Sequence, residues 1–111
     1  MVPIDYERRG QPRIKPAKAI FVEYPGYQAQ IRDLSLGGAF IEDHRPIARG
    51  RVVQMRLLLD GGTPIVAKAI VRRVEPDIGM GVEFIEMTAD DRNRLREFVG
   101  DTGKIERIQS F

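Results

Sequence analysis

Apolar and polar residues alternate along much of this chain with the two-residue period of β-strands. The clearest case is Tyr27–Arg32, where Tyr27, Ala29 and Ile31 share one face and Gln28, Gln30 and Arg32 the other. Lys15–Tyr24 reads as a preceding strand, and Pro25-Gly26 is the turn between the two. Ala39–Glu42 is a short third strand and Asp43–Gly50 a loop. Arg51–Leu59 is a fourth strand, with Val53, Met55, Leu57 and Leu59 on one face. Asp60-Gly61-Gly62 turns the chain into a fifth strand, Ile65–Val74. Pro76–Gly79 turns it again into a sixth, Met80–Ile85. Thr88 is a suitable N-cap with Asp91 three residues on, predicting a helix to about Val99 with Gly100 after its end. Its apolar stripe, Leu95, Phe98 and Val99, is narrow, so the helix should lie against the strands rather than inside a core. Short strands with glycine turns and no alternating helices predict a mainly all-β fold, a six-stranded antiparallel barrel or sandwich with one short C-terminal helix.

One position strains this pattern. Strict alternation places Asp33 on the apolar face of Ala29 and Ile31, where an unpaired carboxylate would be costly. The strand should therefore end or bulge there and release Asp33 to a rim. The next residues, Leu34-Ser35-Leu36-Gly37-Gly38, add a hydroxyl and two glycines that permit positive φ or the close approach of a ligand to backbone. The plainer reading of Asp33 and Ser35 is an Asx or Ser turn closing the strand.

The 111 residues and 12.6 kDa fit one domain, and 42% hydrophobic with 31% charged residues is ordinary for a globular protein. No apolar run reaches the roughly 20 residues that span a bilayer. The N-terminus lacks an apolar signal core, so a cytoplasmic location without membrane insertion is expected. Cysteine is absent, which removes disulfides, thiolate metal sites and cysteine nucleophiles. A single histidine, His44, with no cysteine beside it argues against a metal site and fits a surface loop. No Ser-His-Asp, Cys-His or paired-carboxylate pattern supports catalysis, and no cofactor motif is present. A net charge of +2 is small for a partner that is a long polyanion. Aromatic platforms on basic strand faces, needed for single-stranded nucleic acid, are also lacking. The positive charge is local: residues 1–18 hold Arg8, Arg9, Arg13, Lys15 and Lys18 against Asp5 and Glu7. Such a patch suits one small dianion.

Arg9 and Arg13 form an RxxxR pair and Asp33 to Gly38 a DxSxxG motif. The first is weak alone: fourteen arginines make about two such pairs by chance, and Arg45/Arg49 and Arg92/Arg96 also match. The second is rarer, because the chain has two serines; chance yields roughly one match in seventy such sequences. A carboxylate can accept two parallel bonds from the guanine N1–H and N2–H2 edge, and arginine can fork onto guanine or phosphate and stack on a purine. The two motifs, in this order and around the first two strands, resemble those of the PilZ family, as do Gly79–Ile85 and the helix that follows. The resemblance covers about Tyr6 to Val99.

That resemblance implies a barrel of PilZ type and a non-enzymatic receptor for cyclic di-GMP, bound as a stacked pair of molecules. Arg9, Arg13, Asp33, Ser35, Gly37 and Gly38 would form the site, with Arg8 in support. On this reading residues 1–14 are a flexible arm, 15–99 the barrel with its closing helix, and 100–111 a tail. Ligand would order the arm and alter contact with an unidentified effector protein. The alternative is a PilZ-like adaptor that binds protein only, in motility or pilus function. In the tail Ile105, Ile108 and Phe111 recur every third residue, a pattern open to a frayed end or a docking segment.

Overall fold

The computed structural model describes residues 2–3, 13–100 and 105–108. In chain order the strands are β1 (Val2–Pro3), β2 (Arg13–Pro16), β3 (Ile20–Tyr24), β4 (Tyr27–Leu34), β5 (Gly38–Glu42), β6 (Val52–Leu58), β7 (Ile65–Glu75) and β8 (Gly79–Met87). The helix α1 (Ala89–Gly100) and the strand β9 (Ile105–Ile108) follow. Antiparallel pairing runs β3–β4–β5–β8–β7–β6 and returns from β6 to β3, so six strands close into a barrel. The predicted six-stranded antiparallel barrel with a short C-terminal helix is the observed fold. Closure gives each of these six strands a partner on both sides over part of its length. β1 adds to β8 outside the ring, while β2 and then β9 add to β4.

Inward alternation fills the barrel. Ile20, Val22, Ile31, Leu34, Ile41, Met55, Leu57, Ala67, Ala69, Val71, Met80, Val82 and Phe84 are all buried, and Leu95, Phe98 and Val99 of α1 join the same core. The helix begins as its sequence indicates: the Asp91 amide donates to Thr88 Oγ1 at 3.1 Å. The box is only half made, because the Asp91 carboxylate accepts from the Val66 amide at 3.1 Å and from Arg94 at 3.0 Å. Asp91 thus ties the helix start to β7.

Two expectations need correction. The predicted first strand, Lys15–Tyr24, is two strands: Pro16 lacks a ladder donor and the chain leaves the sheet over Ala17–Ala19 before rejoining as β3. Tyr27, assigned by period to the core face, is 58% exposed. It lies at the hairpin tip beyond the packed interior, its ring 5.8 Å from that of Tyr24. The Tyr24 hydroxyl donates to Asp43, and burial, then that bond, holds its proton well above the ordinary tyrosine range.

Candidate functional site

The site is built on two bulges. In β4 the register slips between Ile31 and Asp33, so that Ile31 opposes Ile41 but Asp33 opposes Phe40. The extra residue turns Asp33 off the Ile31 face, as the cost of burying its carboxylate requires. In β7 the same slip falls between Val71 and Arg73, and Arg73 opposes Gly81 of β8. Phe40 in turn opposes Gly81. One transverse row therefore runs from the Arg32/Asp33 bulge through Phe40 and Gly81 to the Arg72/Arg73 bulge. Each bulge coincides with a quartet of one apolar, two charged and one apolar residue, Ile31-Arg32-Asp33-Leu34 and Val71-Arg72-Arg73-Val74. Two adjacent charges cannot both face water from a regular strand with a buried side, so the strand gains a residue instead.

A cleft of about 180 Å³ opens beside this row, lined by Arg13, Ser35, Gly37, Gly38, Arg72, Arg73 and Glu83 among others. Arg13 begins β2 and donates to Asp33 Oδ1 at 2.6 Å. The Asp33 side chain is 16% exposed and that of Arg13 36% exposed, so the pair sits at a rim that water still reaches. Ser35 is buried and works inside a turn. Its Oγ accepts from the amides of Gly37 at 3.1 Å and Gly38 at 3.2 Å, and its own amide donates to the Gly38 carbonyl at 2.8 Å. This is the Ser turn that the sequence allowed. Removal of the hydroxyl in Ser35→Ala leaves those two amides without their partner. We expect a loss of about 1–2 kcal/mol of stability in denaturant titration, with the secondary structure unchanged.

At Gly38 the structure adds a reason that the sequence did not show. Positive φ occurs at Gly26, Gly50 and Gly61, not at Gly37 or Gly38. What demands glycine at 38 is β8: a Cβ there would lie 2.1 Å from the Val82 carbonyl oxygen. The close approach is barrel backbone to barrel backbone.

The structure thus gathers Arg13, Asp33, Ser35, Gly37 and Gly38 at one place. Arg8 and Arg9 lie outside the described residues. It adds groups that reading along the chain missed. The Phe40 ring is buried between two guanidiniums, with Arg32 at 4.4 Å and Arg73 at 5.6 Å from its centre. Arg72 donates to Glu83 at 2.6 Å across the cleft wall, and burial raises the Glu83 carboxyl above its ordinary value. The charged pairs inside the two quartets were the available signal. They could have been read as bulges, but the row that joins them exists only once β5 and β8 are placed. Among the described residues no cluster could hold a metal ion, and no helix is long and apolar enough to cross a membrane.

No curated protein matches the sequence. The fold is similar to the solved structure of the Bacillus subtilis inhibitor of motility, MotI/DgrA. That likeness has a TM-score of 0.68 at 20% identity and covers 85% of this chain. The chain spans about half of that protein, 50% of its length. The sequence model of the PilZ domain matches residues 7–101, a span that holds the barrel, the turn at Ser35 and the rim where Arg13 meets Asp33. On that match the chain belongs to the PilZ domain family.

Proposed function

We propose that the protein is a non-enzymatic receptor for cyclic di-GMP, which binds at the cleft between the Arg13–Asp33 rim and the Arg72/Arg73 bulge. The observation that carries this reading is the junction of the two motifs: twenty residues apart in sequence, Arg13 and Asp33 are in contact beside an open basic cleft. Asp33 offers its carboxylate to the guanine N1–H and N2–H2 edge, so adenine analogues leave polar groups unpaired and bind poorly. Arg13, with Arg9 and Arg8 from the arm, takes phosphate and guanine. Gly37 and Gly38, held by the Ser35 turn, keep side chains away from the rim. Ordering the arm costs about 1–2 kcal/mol per residue, which charge-assisted bonds of about 1.5–3 kcal/mol each offset. Arm order is then the signal that a partner protein reads.

The Arg72/Arg73 bulge gives this reading a second cationic wall. Arg73 keeps 60% of its side chain exposed while resting on Phe40, a posture that leaves a guanidinium plane open to stack on a base. We expect Arg73→Ala to weaken binding about tenfold, with no change in unfolding midpoint. The test of the whole proposal is titration calorimetry with cyclic di-GMP. Saturation at two ligand molecules per chain is expected from a stacked pair. A chain that takes up no cyclic dinucleotide favours the alternative, an adaptor that binds protein only.

A further inference from the structure

The strand that carries Arg13 anchors Ile14 in the barrel core, but its backbone is lightly paired with the barrel. β2 shares one registered pair with it, Ile14 opposite Leu34 of β4. The break at Ala17–Ala19 means that β2 does not inherit its position from β3. On its other side β9 matches all four residues, Arg13 with Ile108, Ile14 with Arg107, Lys15 with Glu106 and Pro16 with Ile105. The family match ends at residue 101, so β9 lies beyond the matched span.

We propose that β9 is a positioning element for the ligand site: by pairing with β2 it holds Arg13 at the rim beside Asp33. The inference rests on the assignment of Arg13 to the ligand. Its physical content is that a four-residue strand with a single pair on one side is marginal, whereas pairing on both sides fixes its backbone before ligand arrives. Part of the ordering cost of Arg13 is then met by the tail. Occupancy of the cleft and docking of residues 105–108 favour each other, since each stabilises the same placement of β2.

The test uses the full chain with Glu106→Pro and Arg107→Pro, each beside its alanine counterpart. Neighbouring residues of a strand send their N–H groups to opposite sides, so one of the two prolines removes a donor aimed at β2 and the other an outward one. Hydrogen exchange at the Ile14 and Lys15 amides and calorimetry with cyclic di-GMP are the readouts. At the inward position proline is expected to remove protection from β2 and weaken binding about tenfold, the scale of ordering one more backbone residue. Alanine there retains both, and the barrel's unfolding midpoint stays in place. Wild-type protection and affinity in both proline variants would overturn the proposal. So would lost protection with unchanged affinity, or collapse of the barrel itself. A wild-type chain that binds no cyclic di-GMP would instead remove the ligand reading, and exchange alone would then decide whether β9 holds β2.

Discussion

Arg13→Ala and Asp33→Ala are each expected to abolish measurable cyclic di-GMP binding in calorimetry, and Arg9→Ala to do the same, while the barrel's unfolding transition should persist. The size of the effect follows from what each side chain does. Arg13 and Asp33 satisfy one another at 2.6 Å. In the proposed complex the ligand would replace this charge-assisted bond with better ones, by giving Asp33 two donors from one guanine edge. Removal of Asp33 deletes both acceptors and leaves the base's donors facing a methyl group. Removal of Arg13 would delete the cation proposed to meet phosphate or guanine and would leave a carboxylate, 16% exposed, facing an anionic ligand. Losses of this kind run to about 2–5 kcal/mol, or roughly thirtyfold to several thousandfold in affinity. The fold survives because water reaches the rim and the hydrophobic core does not include these groups. Asp33→Asn refines the test, since it keeps the shape but replaces one acceptor by a donor; it should bind as poorly as the alanine variant. Wild-type-like affinity in all three alanine variants would end the proposal.

The largest effect on stability is expected at Gly38 and Gly79. These residues mark the two ends of the β5–β8 ladder, where Gly38 opposes Glu83 and Gly79 opposes Glu42. A Cβ at Gly38 would meet the Val82 carbonyl oxygen at 2.1 Å, and one at Gly79 the Ile41 carbonyl oxygen at 2.2 Å and the Phe40 ring at 2.7 Å. The obstacle is mainly backbone, which cannot swing aside as a flexible side chain does. Either alanine must part the strands, breaking a ladder that closes the barrel. Overpacking of cores costs about 1–3 kcal/mol, and loss of strand pairing adds to it, so each variant should lose at least about 3 kcal/mol or fail to fold. Gly81 is the internal control. A Cβ there meets only the Arg73 side chain, at 3.7 Å, in ordinary contact. Gly81→Ala should stay within about 1 kcal/mol of wild type in chemical denaturation. Equal stability of the Gly38, Gly79 and Gly81 variants would show that the close approach has been misjudged.

Much of this architecture was legible along the chain because a two-residue period survives wherever one strand face is buried. β4 to β8 appear close to their observed bounds, and so does the helix, whose Thr88 cap is a local device. Asp33 was legible as a fault in that period, since a carboxylate assigned to the core face demanded a bulge, and the bulge is there. Tyr27 was misplaced because period assigns a face but not a depth, and the core ends before the hairpin tip. Pro16 ends β2, a break that apolar content alone does not reveal. The place of Arg72 and Arg73 depends on a neighbour in β8 rather than on their own spacing, so it is not legible along the chain.

By itself the sequence determined local matters: strand phase, turns, the helix start and the motif residues. Each depends on side chains a few positions apart. Only tertiary structure decided that Gly38 serves a neighbouring carbonyl, that two bulges share one row with Phe40 between their arginines, and that the tail pairs with the strand bearing Arg13. Those facts join residues up to nearly a hundred positions apart, brought together by barrel closure and strand register, which local patterning does not encode.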